Sequence, residues 1–322
     1  MNRTEFNIVC ISDNLYSQHT AVMLTSLFES NPKTSCNIYL FTTNIDENNK
    51  FKLHSLVKKY KNQLFIKQPD TDTFNKVQNL KTASWHAIMY LKLFIHRILP
   101  KDMNKCLFLD VDIIINSPLN ELYDINLDDC CIAGCEDNIN SMGIKQNLHL
   151  YPTDHYINSG VMMINLAKWR ELDKEYPIEE FLRNNMDIIN NDQDAIALYF
   201  KGQIKYINDI KWNATTFCFQ RLIRVFPKYY NQIEDVRKRP AIIHFCDPVK
   251  PWFKECKHPY KGLYDKYLRM TPWKNYKYTS CKKVYNRSAF YYNFRYWLNY
   301  IGIRKDYDFE VPLNKGIKYG IF

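Results

Sequence analysis

The chain has 322 residues, 46% hydrophobic and 24% charged, with a formal charge of +10 at neutral pH. This composition excludes a disordered or collagen-like polymer and supports one large buried core with an appendage. No apolar run reaches the roughly 18 residues of a spanning helix, and Met1 to Asn7 has no secretory-leader pattern, so a cytoplasmic protein is expected.

Asn7 to Ser12 is a short apolar run closed by the turn signal Asp13-Asn14, and Val22, Leu24, Leu27 and Phe28 then recur at helical spacing between Thr20 and Ser30. A second strand is expected at Asn37 to Phe41, a helix opened by Asp46 and Glu47, and a third strand at Leu64 to Lys67. Strands alternating with helices predict a largely parallel sheet covered on both faces, the α/β class. A helix from about Ser84 to Leu99, stopped by Pro100, leads into the most apolar strand, Lys105 to Ile115. Further on come a hairpin region around Tyr156 to Asn165, helices begun by Pro177 and near Asp192, and a strand at Ala241 to His244.

The ten cysteines are scattered from Cys10 to Cys281 without a secretion signal, so reduced thiols are expected. Cys130, Cys131 and Cys135 lack the paired spacing of a zinc site and read as small buried apolar residues. The positive charge is localised. Residues 250 to 322 hold sixteen Lys and Arg against five Asp and Glu, a net +11, which leaves residues 1 to 249 at −1. Interleaved with these cations are Tyr285, Phe290, Tyr291, Tyr292, Phe294, Tyr296, Trp297 and Tyr300. Cations mixed with amphipathic rings suit an anionic membrane surface, with a solvated basic face over a few packed aromatics as the alternative, and no nucleic-acid motif accompanies them. The expected division is therefore residues 1–252 as a catalytic domain and 253–322 as a basic, aromatic, helical membrane-association region.

Four stretches could carry chemistry. In Leu107 to Ile115, Asp110 and Asp112 stand two apart in an apolar run, so on an extended chain they leave from one face. Paired carboxylates there repel unless a cation lies between them, which points to a hard divalent ion. Acids at a strand end also bind riboses, cap helices or serve a phosphoaspartate enzyme. His244 ends the apolar strand Ala241-Ile242-Ile243, and Pro248 and Pro251 stiffen the backbone around Lys250. A histidine joined to two carboxylates suits Mn²⁺ better than Mg²⁺ or Ca²⁺, and a fixed lysine suits a phosphate oxygen. Asn191-Asp192-Gln193-Asp194 opens a helix, where an Asp serves as N-cap or as a functional group. Tyr156 to Val161 is a polar turn before an apolar strand.

In order, I-V-C-I-S-D-N-L-Y from Ile8, Y-L-K-L from Tyr90, F-L-D-V-D from Phe108, Y-I-N-S-G-V-M-M-I-N from Tyr156, N-D-Q-D-A from Asn191 and H-F-C-D-P-V-K-P-W from His244 resemble glycosyltransferase family 8, which includes the bacterial lipopolysaccharide galactosyl- and glucosyltransferases. T-P-W-K-N from Thr271 resembles the tail of the lipopolysaccharide core enzymes, so the resemblance spans nearly the whole chain. It implies a GT-A fold, a Rossmann-like mixed sheet of nucleotide-diphospho-sugar transferases, with a UDP-hexose donor and retention of the α configuration. It further implies Asp110, Asp112 and His244 as ligands of Mn²⁺, with Mg²⁺ as the alternative ion. Asp13 would contact the uracil, Lys250 the pyrophosphate, and Lys92, Asp110, Asp137 and Asn158 the donor. Gln193 would lie nearest the reacting carbon and Asp192 on a sugar hydroxyl. The implied acceptor is a lipid-linked oligosaccharide on the cytoplasmic face of the inner membrane.

Three positions depart from the family pattern. Lys92 stands where an arginine is usual, Ile11 where a small residue is usual, and Asp247 where a glycine is usual. Two other functions compete. A phosphoaspartate-type phosphohydrolase would use Asp110 as nucleophile but expects its motif near the N-terminus. A non-catalytic UDP-sugar-binding protein would bind the nucleotide without turnover.

Overall fold

The computed structural model describes residues 4–70, 87–137, 141–219 and 225–281. Its centre is a seven-stranded mixed sheet in the order β3-β2-β1-β4-β7-β6-β8. The strands are β1 (Glu5–Ile11), β2 (Ser35–Phe41), β3 (Gln63–Lys67), β4 (Lys105–Leu109), β6 (Ile132–Glu136), β7 (Ile157–Asn165) and β8 (Ile204–Tyr206). β1 pairs in parallel with β2 and β4, while the long β7 runs antiparallel to both β4 and β6. A second sheet of three strands, β5 (Ile113–Ile115), β10 (Ile242–His244) and β9 (Ala214–Thr215), stands beside it.

Both faces of the large sheet are covered, which explains why its strands are apolar at nearly every position. In β1, Phe6, Ile8 and Cys10 pack with α1 (Ser17–Ser30) and α2 (Glu47–Lys59), whereas Val9 and Ile11 face the cluster that includes Trp169, Phe181 and Phe200. Asp46 caps α2, its carboxylate accepting from Asn49 N at 2.7 Å, as the sequence suggested. A third cluster wraps the small sheet and takes in Trp252, Tyr264, Tyr267 and Leu268, the last three from the helix Lys261–Arg269. Trp273, Tyr276 and Tyr278 also pack against it. The stretch after Trp252, as far as Cys281, is thus bound into the main body. The aromatic positions from Tyr285 to Tyr300 lie outside the described residues.

Three expected elements differ, and the first is the hairpin region with its polar turn around Tyr156 to Asn165, which is one continuous strand, β7. Lys105 to Ile115 forms two strands in different sheets, with a turn at residues 110–112 between them. The expected helix up to Leu99 is, over its described part, a 3₁₀ stretch Ala87–Phe94 followed by the helical turn Ile95–Ile98. All ten cysteines are free thiols. Among the described residues no helix is long and apolar enough to cross a membrane.

Candidate active site

The break between β4 and β5 lies at the carboxyl end of a strand parallel to β1, the edge where open α/β sheets place ligands. Asp110 N still donates to Gly160 O of β7 at 2.8 Å, and three residues later the chain has joined the other sheet, where Ile113 pairs with His244. Phe245 N donates to Asp112 O at 3.0 Å and closes the seam. Asp110, Asp112 and His244 therefore meet because one strand changes sheets at the acids while another ends at the imidazole. One ligand atom from each lies within 4.8 Å of the others. That spacing fits three donors around one divalent ion, and the oxygen and imidazole set fits a borderline-hard metal such as Mn²⁺.

Two lysines balance the acids. Lys92, 1% exposed, bridges Asp110 Oδ1 at 3.1 Å and Asp192 Oδ2 at 2.8 Å. It also donates to Ser159 Oγ at 3.2 Å. Lys250 donates to Asp112 Oδ2 at 2.6 Å and to Phe245 O at 2.7 Å. Burial alone would neutralise all four groups. Against that cost, Asp110 and Asp192 raise the pKa of Lys92, and Asp112 raises that of Lys250. Against burial, Lys250 holds the Asp112 carboxyl well below the usual range, whereas burial keeps that of Asp110 above it despite Lys92.

The rest of the lining pairs carboxamides with carboxylates. Asn191 caps the helix Asp192–Tyr199, its side chain accepting from Asp194 N at 2.8 Å. Capping thus falls to Asn191, and Asp192 is left to face Lys92 and Ser159 Oγ, the latter at 3.0 Å. Gln193 Nε2 donates to Asp137 Oδ2 at 2.8 Å, and its Oε1 accepts from Ser159 N at 3.0 Å. Asp137 follows β6 directly, and Asn158 on β7 donates to it at 3.3 Å. Asp13, at the end of β1, accepts from Tyr16 N at 2.9 Å.

All ten positions named from the sequence, Asp13, Lys92, Asp110, Asp112, Asp137, Asn158, Asp192, Gln193, His244 and Lys250, line one cleft of about 320 Å³. Ile11 lines it too. Asp247 is not among the lining residues; its carboxylate accepts from Val249 N at 3.3 Å, inside its own turn. Asn213 was not anticipated. It is 1% exposed, with Oδ1 2.9 Å from His244 Nδ1 and Nδ2 2.9 Å from Asn158 Oδ1. It lies in Trp212-Asn213-Ala214, where no spacing or repeat marks it.

Comparison with known proteins gives a consistent result. The model of glycosyl transferase family 8 matches residues 7–256. A putative glycosyltransferase of Haemophilus influenzae is 30% identical over 264 residues, covering 78% of this chain and 74% of that protein. A lipopolysaccharide 1,2-glucosyltransferase of Escherichia coli is 24% identical over 303 residues, 91% of this chain and 87% of its own length. Among solved structures, the galactosyltransferase LgtC in complex with donor and acceptor sugar analogs superposes with a TM-score of 0.72 at 22% identity, over 87% of this chain and 99% of that one. The likeness shows the expected GT-A fold.

Proposed function

The chain belongs to glycosyltransferase family 8, and from that premise we propose that it is a retaining, Mn²⁺-dependent hexosyltransferase that moves galactose or glucose from a UDP-sugar onto lipopolysaccharide or a related surface glycan. The observation that carries this reading is the convergence of Asp110, Asp112 and His244 with Asp137, Asn158, Asp192 and Gln193 in one cleft. A cluster for a cation and a cluster of sugar-binding groups, side by side, match the two halves of a nucleotide-sugar. The surface-glycan acceptor is proposed from the lipopolysaccharide enzymes among the chain's relatives.

Asp110, Asp112 and His244 would hold a divalent ion, which would supply Lewis-acid stabilisation of the charge on the departing pyrophosphate. Lys250 adds a point charge to the same oxygens, and Asp13 meets the uracil. Asp137, Asn158 and Asp192 grip sugar hydroxyls, and Lys92 holds Asp192 and Asp110 in register from below. The C1–O bond of the donor breaks with its electron pair passing to the phosphate oxygen, and the sugar becomes oxocarbenium-like. The acceptor hydroxyl then bonds to C1 on the face the phosphate has left, and its proton passes to that phosphate oxygen. Gln193 faces the reacting carbon as a dipole. Its carboxamide is a far poorer nucleophile than a carboxylate, which favours this front-side path over a covalent intermediate.

The basic residues after Trp252 suit the anionic cytoplasmic face of the inner membrane, where a lipid-linked acceptor would be met. The anomeric configuration of the product, read by ¹H NMR, tests the stereochemistry. An α product from an α donor is expected, and a β product contradicts retention. A hexosyl adduct on Gln193 or Asp192 in intact-protein mass spectrometry contradicts the front-side path.

A further inference from the structure

We propose that Asn213 is a positioning residue that sets the tautomer of His244, so that Nδ1 carries the proton and Nε2 presents its lone pair towards Asp112. The inference rests on the reading of His244 as a metal ligand.

The argument runs through hydrogen bonds whose direction leaves no choice. Gly160 N–H can only donate, and it reaches Asn158 Oδ1 at 3.1 Å. The Asp137 carboxylate accepts from Asn158 Nδ2 at the other end of the same amide. The two ends fix the Asn158 amide independently, which removes the usual ambiguity of carboxamide orientation. Asn158 Oδ1 then requires a donor from Asn213, and it receives Nδ2 at 2.9 Å. With Nδ2 committed, Asn213 turns Oδ1 to His244 Nδ1 at 2.9 Å, and an amide oxygen can only accept. His244 must therefore donate from Nδ1. Its Nε2, 3.4 Å from Asp112 Oδ1, is the nitrogen on the metal-ligand side.

The same chain extends to the sugar-binding wall. Asp137 also accepts from Gln193 Nε2 at 2.8 Å, and Gln193 Oε1 is held by Ser159 N. One run of side chains, His244, Asn213, Asn158, Asp137 and Gln193, thus joins the imidazole to the group nearest the reacting carbon. Placement of Asn213 depends on the backbone around it. Asp209 caps the 3₁₀ turn Ile210–Asn213, and β9 begins at the next residue and pairs with β10, which carries His244. Partners that orient a ligating histidine typically change metal affinity by about 10–100-fold when removed.

The test begins with metal-free wild-type protein labelled with ¹⁵N-histidine. Long-range ¹H–¹⁵N correlation reports the tautomer, with His244 assigned through His244→Gln. The Nδ1–H form is expected. Asn213→Leu should lose that preference and weaken Mn²⁺ binding, measured by EPR of the free ion, by about 10–100-fold. Asn213→Asp keeps an acceptor for Nδ1 but loses the donor to Asn158 Oδ1, and should keep the tautomer. The Nε2–H form in the wild type overturns the proposal, as does an Asn213→Leu protein matching wild type in both readouts. Should Asn213→Leu fail to fold, the wild-type tautomer and Asn213→Asp still decide. A wild-type Nδ1–H tautomer in a protein that takes up no Mn²⁺ supports the orientation of His244 by Asn213 and contradicts the metal reading instead.

Discussion

Gly160 and His244 approach so closely that a side chain on the glycine has nowhere to go: a Cβ built there would overlap His244 Cε1 and stand 2.9 Å from Asp110 Oδ2. Glycine at this point of β7 is a requirement of the site, since its absent side chain is the space in which His244 and Asp110 meet. Gly160→Ala should therefore displace the imidazole or the carboxylate while leaving the sheet formed. The expected result is a loss of turnover of about 100-fold, the scale of a small misplacement of catalytic groups, with an unchanged far-UV CD spectrum. Near-wild-type turnover would show that the close approach is not needed.

Lys92 is the one cation shared by Asp110 and Asp192 among the described residues. Removing one partner from a buried ionic cluster leaves uncompensated charge, which typically costs about 3–5 kcal/mol. Lys92→Met keeps most of the stem but not the charge and should lower stability by that amount in urea unfolding. Lys92→Arg keeps the charge and should lose much less. Equal losses would assign the effect to packing.

Burial governs the acid response of His19, which stacks on Trp252 at 3.7 Å and bonds Tyr264 through Nδ1. Burial pushes its pKa down to about 3, although Asp112 pulls the other way. Above pH 6.5 the folded and unfolded chains both hold it neutral, and it contributes no pH dependence. Between about 6.5 and 3 the unfolded chain binds a proton that the fold refuses, so stability falls as pH falls, by up to about 1.4 kcal/mol per unit. His19→Gln should flatten the slope of stability against pH from 6.5 to 5 by up to one proton's worth. An unchanged slope would mean that His19 ionises freely in the fold.

Trp273, Tyr276 and Tyr278 pack against the third core cluster, so a truncation that spares folding should begin after Cys281. Residues 282–322 still carry eight Lys and Arg against three Asp and Glu. Their deletion should release the protein from vesicles rich in anionic lipid, by about 1 kcal/mol for each cation that reaches the surface, and leave donor hydrolysis intact. Equal vesicle binding by both forms in a sedimentation assay would remove the membrane argument.

Asp110, Asp112, His244 and Lys250 were legible because carboxylates, an imidazole and prolines stand out against apolar strands, whereas Lys92 and Asp137 were marked only by the resemblance to glycosyltransferase family 8. Asp110, Asp112 and His244 sit at strand ends, where polar residues interrupt a run and so announce themselves. The change of sheet at residues 110–112 was not legible, since Ile113, Ile114 and Ile115 continue the apolar run and pairing partners are not written in a single strand. The 3₁₀ winding of Ala87–Phe94 was hidden for a similar reason. Over eight mostly apolar residues, periods of 3.0 and 3.6 look alike. Asn213 was the hardest case. A lone asparagine in Trp212-Asn213-Ala214 reads as a turn residue, and its importance arises only when β9 pairs with β10 and brings it beside His244.

The most direct test of the central claim is hydrolysis of a panel of UDP-hexoses and UDP-N-acetylhexosamines by the purified protein, with Mn²⁺ and with a chelator, beside Asp112→Asn. The account predicts turnover of one hexose donor that disappears with chelator and in the variant. UDP binding without turnover of any donor, with or without a lipopolysaccharide-type acceptor, or turnover indifferent to chelator and to Asp112→Asn, would contradict it.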